Sequence, residues 1–241
     1  MSAIIQAAPA VSSSTEIPER TLLAGLGLTS FAALLLELSL TRLFSVVLFY
    51  HFAFLAISIA LLGLGAGGVF AYLLKKRLAR TDTRTLAARL CIGNSVLVLF
   101  VLEIVLRVPV ALEVSGRNFL HLSAIYVAAA LPFFLTGLLF SVVFARETWR
   151  ASRLYGADLG GGALACIAVV PLLNWIGGPN TILAASVAMA AAAMIWTASS
   201  SARKLAGGLV ALFVILIAAN HSIRLIDVIY AKGVFRDQSW V

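Results

Sequence analysis

Charge is scarce in this sequence. Charged side chains make up 12% of its 241 residues while 62% are hydrophobic; an ordinary soluble domain carries roughly 25% charge. So little charge cannot solvate a surface around so much apolar material, which excludes a soluble enzyme domain. Cysteine is nearly absent too. Cys91 and Cys166 are the only two, and each falls inside an apolar stretch. There is no disulfide framework and no Cys/His metal spacing, and both read as small hydrophobes in a core. The chain does not open with the basic, apolar, then small-residue order of a cleaved signal peptide. Its Ser12, Ser13, Ser14, Thr15, Glu16 and Pro18 read as a flexible tail. No Ser/His/Asp set, catalytic carboxylate pair or phosphate loop lies in a polar segment, and no cofactor is expected.

Long apolar runs take the place of all this. Seven are present: Thr21–Phe49, His51–Leu74, Leu90–Val110, Leu120–Ala145, Tyr155–Ile176, Thr181–Thr197 and Lys204–Asn220. Each lies near the ~20 residues that cross a bilayer as helix. The alternation of a membrane barrel is missing, and lipid requires each segment to pair its own backbone groups. The mean hydropathy of +1.05 agrees. The expected fold is an all-α polytopic transmembrane bundle of about seven helices over residues 21–221, with a cytoplasmic tail before it and a short tail, 222–241, after it.

The net charge of +8 is unevenly placed. Lys75, Lys76, Arg77, Arg80, Arg84 and Arg89 lie between the second and third runs. Arg146, Arg150 and Arg153 lie between the fourth and fifth, and Arg203 and Lys204 between the sixth and seventh. Positive residues beside spans mark the cytoplasmic side, so the N-terminus and these loops are expected there, in a bacterial inner membrane. This placement excludes a nucleic-acid partner, which requires a continuous basic groove. Trp175, Trp196, Tyr50 and Tyr155 are read as interfacial anchors.

A short internal echo joins the two halves. Phe44-Ser45-Val46-Val47 ends the first run and Phe140-Ser141-Val142-Val143 ends the fourth, and a glycine cluster follows each. Oppositely directed runs with such an echo point to a three-plus-three inverted repeat with one extra span. The cluster Gly63-Leu64-Gly65-Ala66-Gly67-Gly68 looks like a dinucleotide fingerprint, but a transmembrane helix precedes it rather than a strand. Small residues four apart instead favour close helix packing. Gly63 and Gly67 in the second run, with Gly156 and Gly160 in the fifth, make those two spans the expected tight pair.

Ionisable residues within spans cost several kcal/mol each unless paired or hydrated. Glu37 and Arg42 lie on different faces of the first run, so each calls for a partner on another helix. Glu103 and Arg107 are one turn apart and can pair along one face. A polar cluster joining the first and third spans would satisfy all four, either as an interhelical clamp or as a ligand or proton site. Asp158 is near Arg150 and Arg153, where a local ion pair or a helix N-terminal acid accounts for it, with a gate or substrate contact as the alternative. His51, His121 and His221 fall at outward span ends, where three imidazoles could hold a metal or haem, although their spacing is not that of a ligand set.

Three stretches together resemble a known family. They are Leu36-Glu37-Leu38-Ser39-Leu40-Thr41-Arg42-Leu43, the glycine-rich Ala56–Gly68, and Arg153-Leu154-Tyr155-Gly156-Ala157-Asp158-Leu159-Gly160, continuing to Gly177-Gly178. They are similar to the membrane region of bacterial spermidine synthase-like proteins, in which a multi-helix domain is fused to a polyamine aminopropyltransferase. The likeness covers roughly Leu36 to Ile195, and Glu37, Thr41, Arg42, Tyr155 and Asp158 are polar choices that hydrophobicity alone does not produce. It implies a soluble Rossmann-like catalytic domain with a Gly-rich acidic motif holding decarboxylated S-adenosylmethionine. These 241 residues hold no such motif, and Ile226–Gly233 looks like the approach to that domain. The chain is therefore expected to anchor or serve a polyamine-type catalytic domain outside it, rather than to catalyse aminopropyl transfer. A stand-alone amine transporter using Glu37 and Glu103 is the rival expectation, and an outward-facing metal or haem protein a third.

Overall fold

The structure is a computed structural model that describes residues 17–47, 53–108, 115–223 and 226, with the two-residue strands Tyr230–Ala231 and Val234–Phe235. The helices are α1 (Glu19–Val47), α2 (Ala53–Leu73), the short α3 (Lys75–Leu78), α4 (Thr83–Arg107), α5 (Gly116–Arg146), α6 (Ala151–Ile176), α7 (Gly178–Trp196) and α8 (Ser200–Ile223). Seven of them are long and apolar enough to cross a membrane, which makes the chain a multi-pass membrane protein.

Capping, rather than the edge of the apolar run, sets where these helices begin. Asp82 accepts hydrogen bonds from the Arg84 and Thr85 backbone amides at 3.0 and 3.2 Å, so α4 starts two turns before the expected Leu90. Ser115 caps α5 in the same way through Asn118. Between α6 and α7 the chain reverses on Gly177, whose φ of 81° disfavours any residue with a Cβ, and Pro179 follows in the first turn of α7.

Alanine-rich α7 is central. It packs on α1, α4 and α8, and it stands where the expected cluster between α1 and α4 would have to form. The tight pairs are α1 with α6 and α2 with α5. This corrects the pairing of the second and fifth spans, α2 and α6, expected from their glycines. A Cβ on Gly63 would lie 2.6 Å from that of Phe133, and one on Gly67 would strike the Phe134 carbonyl, both on α5. On α6, Gly156 and Gly160 meet nothing within 4 Å, whereas Gly161 presses on the Gly27 carbonyl of α1. At 100° per residue, moving from Gly160 to Gly161 changes the face that meets a neighbour.

The pairing has a formal symmetry. α1 packs on α6 and α7, α5 packs on α2 and α4, and α4 packs on α7. Exchanging α1 with α5, α2 with α6 and α4 with α7 returns these pairs, but the α1–α2 and α6–α7 contacts have no α5–α6 or α2–α4 counterpart of similar extent among the described residues. The match to a three-plus-three repeat is partial, with α8 added outside against α7.

Arginine side chains join the helices at their basic end. Arg84 Nε donates to the Trp196 carbonyl at 3.0 Å, and Arg203 donates to that of Thr197 at 3.1 Å, satisfying acceptors left open where α7 ends. Arg146 donates to the carbonyls of Leu78 and Thr81 and to the Thr83 hydroxyl. Arg153 bridges to Glu19 at 2.6 Å. One side chain corrects its expected role here. Trp196 is fully buried rather than interfacial, its indole against Gly25 and its Nε1 3.4 Å from the Thr29 hydroxyl. Trp175 and Tyr155 are exposed, as anchors are; Tyr50 lies outside the described residues.

Candidate functional site: a groove with two carboxylates

A groove of about 440 Å³ runs beside α1, between α6 on one side and α5 with Leu64 of α2 on the other. It exists because the α6 residues facing it are small. Gly162, Ala163 and Cys166 stand opposite Ala33, Leu34 and Glu37, leaving space that larger side chains would fill. Phe133 and Phe140 of α5 supply aromatic wall, and Leu159, Ala163 and Cys166 are exposed along the open edge.

Two acids enter this apolar space. Glu37, half-buried near the middle of α1, has no ion pair or side-chain hydrogen bond among the described residues. Asp158, in the second turn of α6, accepts a 2.6 Å hydrogen bond from the Ser30 hydroxyl, which also lies 2.9 Å from the Asp158 carbonyl. The contact fixes the direction of the carboxylate and the register of α1 on α6. Ser30 and Glu37 are seven residues apart on α1, so the two carboxylates are separated by about 10 Å along the helix. No cationic side chain lines the groove.

The other polar candidates are elsewhere. Arg107 pairs with Glu103 one turn away, as expected, but the pair is exposed near the end of α4 and takes no part in the groove. Arg42 is exposed, without an ion-pair partner among the described residues. Thr41 donates to the Glu37 carbonyl within its own helix at 2.9 Å. The expected joint cluster of Glu37, Arg42, Glu103 and Arg107 is therefore not formed: Glu37 lines the groove beside α6, while Glu103 and Arg107 pair with each other and lie outside it. Asp158 also departs from its expected local pairing. Arg153 takes Glu19, while Arg150 takes Glu147 and the Ile17 carbonyl.

Ser30 is not among the residues expected at a site, although a serine in an apolar run is the same kind of signal as Asp158. His121 and His221 belong to no metal-ligating group among the described residues, and His51 lies outside them. No protein-family model, curated protein or solved structure matches the chain.

Proposed function

We propose that this chain is a membrane module that receives an amine in the groove between α1, α5 and α6, serving a polyamine-type catalytic domain as the resemblance implies. The observation that carries the reading is the pair Glu37 and Asp158 in one apolar groove with no cationic side chain lining it. A carboxylate in low dielectric is costly until a cation compensates it. Two such groups about 10 Å apart match a linear molecule with ammonium groups at its ends and methylenes between them. Phe140, in the aromatic wall, adds a ring that can attract a cation. In this reading the arginine-rich end faces the cytoplasm of a bacterial inner membrane.

Equilibrium binding of radiolabelled spermidine to the protein in phosphatidylcholine nanodiscs tests this. Saturable binding that falls about tenfold or more in Glu37→Gln is expected. Binding that is absent, or equal in the variant, contradicts it.

The partly symmetric pairing of helices favours a second reading, a transporter in which α1, α6 and α7 move against α5, α2 and α4. Proteoliposome uptake of the amine separates the two. Uptake that requires Glu37 supports transport, and binding without uptake supports the module.

A further inference from the structure

We infer a second, oppositely charged site at the basic end of the bundle: a cavity of about 580 Å³ that binds a phosphate group. It lies between the α3–α4 and α5–α6 connections and the residues that precede α1. Arg80, Arg146 and Arg150 line it, together with Trp149. The two carboxylates present, Asp82 and Glu147, are engaged. Asp82 caps α4, and Glu147 lies 3.7 Å from Arg150.

Arg150 is what marks this cavity as a binding site. Its side chain is only 8% exposed and is fixed in place, with Nη1 donating to the Ile17 carbonyl at 3.0 Å and the guanidinium 3.9 Å from the Trp149 ring centre. Its Nε is buried with no acceptor among the described residues. A buried N–H of a cation without a partner costs more than a neutral one, and the charge of an oxyanion beside the same guanidinium in the cavity offsets part of that cost. The Arg80 side chain is exposed and makes no hydrogen bond or ion pair among the described residues, so its charge is free to close over the same anion. Arg146 spends three contacts on Leu78, Thr81 and Thr83 and presents the remainder of its fork.

Two sources could supply such a group. A soluble phosphoryl compound can enter from water. A phospholipid can place its headgroup here with an acyl chain in the adjoining slot of about 320 Å³, which shares Ala79 and Arg146 with the cavity.

The test is the thermal unfolding midpoint of the intact protein in maltoside micelles free of phosphate and phospholipid. Inorganic phosphate is titrated in one arm, and phosphatidylglycerol is added to the micelles in the other. A stabilising shift in either arm is expected, with apparent affinity weakened about tenfold in Arg80→Gln and unchanged in Arg77→Gln, which lies outside the cavity. Arg80→Gln removes no internal bond, so it folds, and its midpoint without ligand stays at the wild-type value. A shift with lipid alone assigns the headgroup, one with phosphate alone assigns a soluble compound, and both assign the phosphate group itself. No shift in either arm, or equal weakening in Arg77→Gln, overturns the site.

Discussion

The Ser30 hydroxyl of α1 donates a 2.6 Å hydrogen bond to the Asp158 carboxylate of α6, across a helix pair in which Gly27 and Gly161 also touch. One polar contact and one close approach thus set both the register of these parallel helices and the orientation of an acid that would otherwise rotate freely in the groove. Replacing Ser30 by alanine should leave the bundle folded and release Asp158. Loss of one charge-assisted bond weakens spermidine binding about threefold to tenfold, read by the same nanodisc titration. Unchanged affinity would remove Ser30 from the site.

Glycine substitutions separate packed faces from open ones. Gly67→Ala and Gly161→Ala place a methyl on backbone atoms of α5 and α1, and each should destabilise the protein by about 1–3 kcal/mol. Gly156→Ala and Gly160→Ala meet open space and should be neutral or stabilising by up to about 1 kcal/mol. Unfolding in mixed micelles gives the four values, and a reversed order would contradict the helix pairing.

The two cysteines report on the groove without any mutation. Cys166 is exposed at its edge and Cys91 is fully buried beside Thr29, 3.7 Å away. A membrane-permeant maleimide should modify one thiol per chain, located to Cys166 by peptide mass spectrometry. Saturating spermidine should slow that modification several-fold. Modification of Cys91 at a similar rate would mean that α1, α4 and α7 are packed differently.

At the basic end, Arg146→Ala removes three hydrogen bonds to the α3–α4 connection and should cost about 2–3 kcal/mol. The exposed Glu103–Arg107 pair is a contrast. Glu103→Gln should change stability by no more than about 0.5 kcal/mol and leave amine binding intact. A binding defect in Glu103→Gln would return that acid to the site.

How much of this could be read from residues alone follows from the solvent. Seven spans were legible because lipid demands long apolar runs, and Glu37 stood out because a lone acid in such a run is expensive. Helix partners were not legible. In lipid a buried face and an exposed face are equally greasy, so Gly156 and Gly161 look alike until the neighbour is known. The partner of Asp158 was not legible for a similar reason: Arg150 and Arg153 are close in sequence, but Ser30, 128 residues away, is close in space. The loop arginines were legible as a sign of topology, whereas their bonds to the last carbonyls of α7 and α3 depend on how helix ends meet.

A double-mutant cycle on the two groove acids tests the central claim most directly. Binding of spermidine and of a simple monoamine of equal length is measured for the wild type, Glu37→Gln, Asp158→Asn and the double variant. Each single substitution should weaken the polyamine about tenfold or more, while the monoamine is sensitive to one of the two acids. Polyamine binding indifferent to both substitutions would show that these carboxylates do not form an amine site.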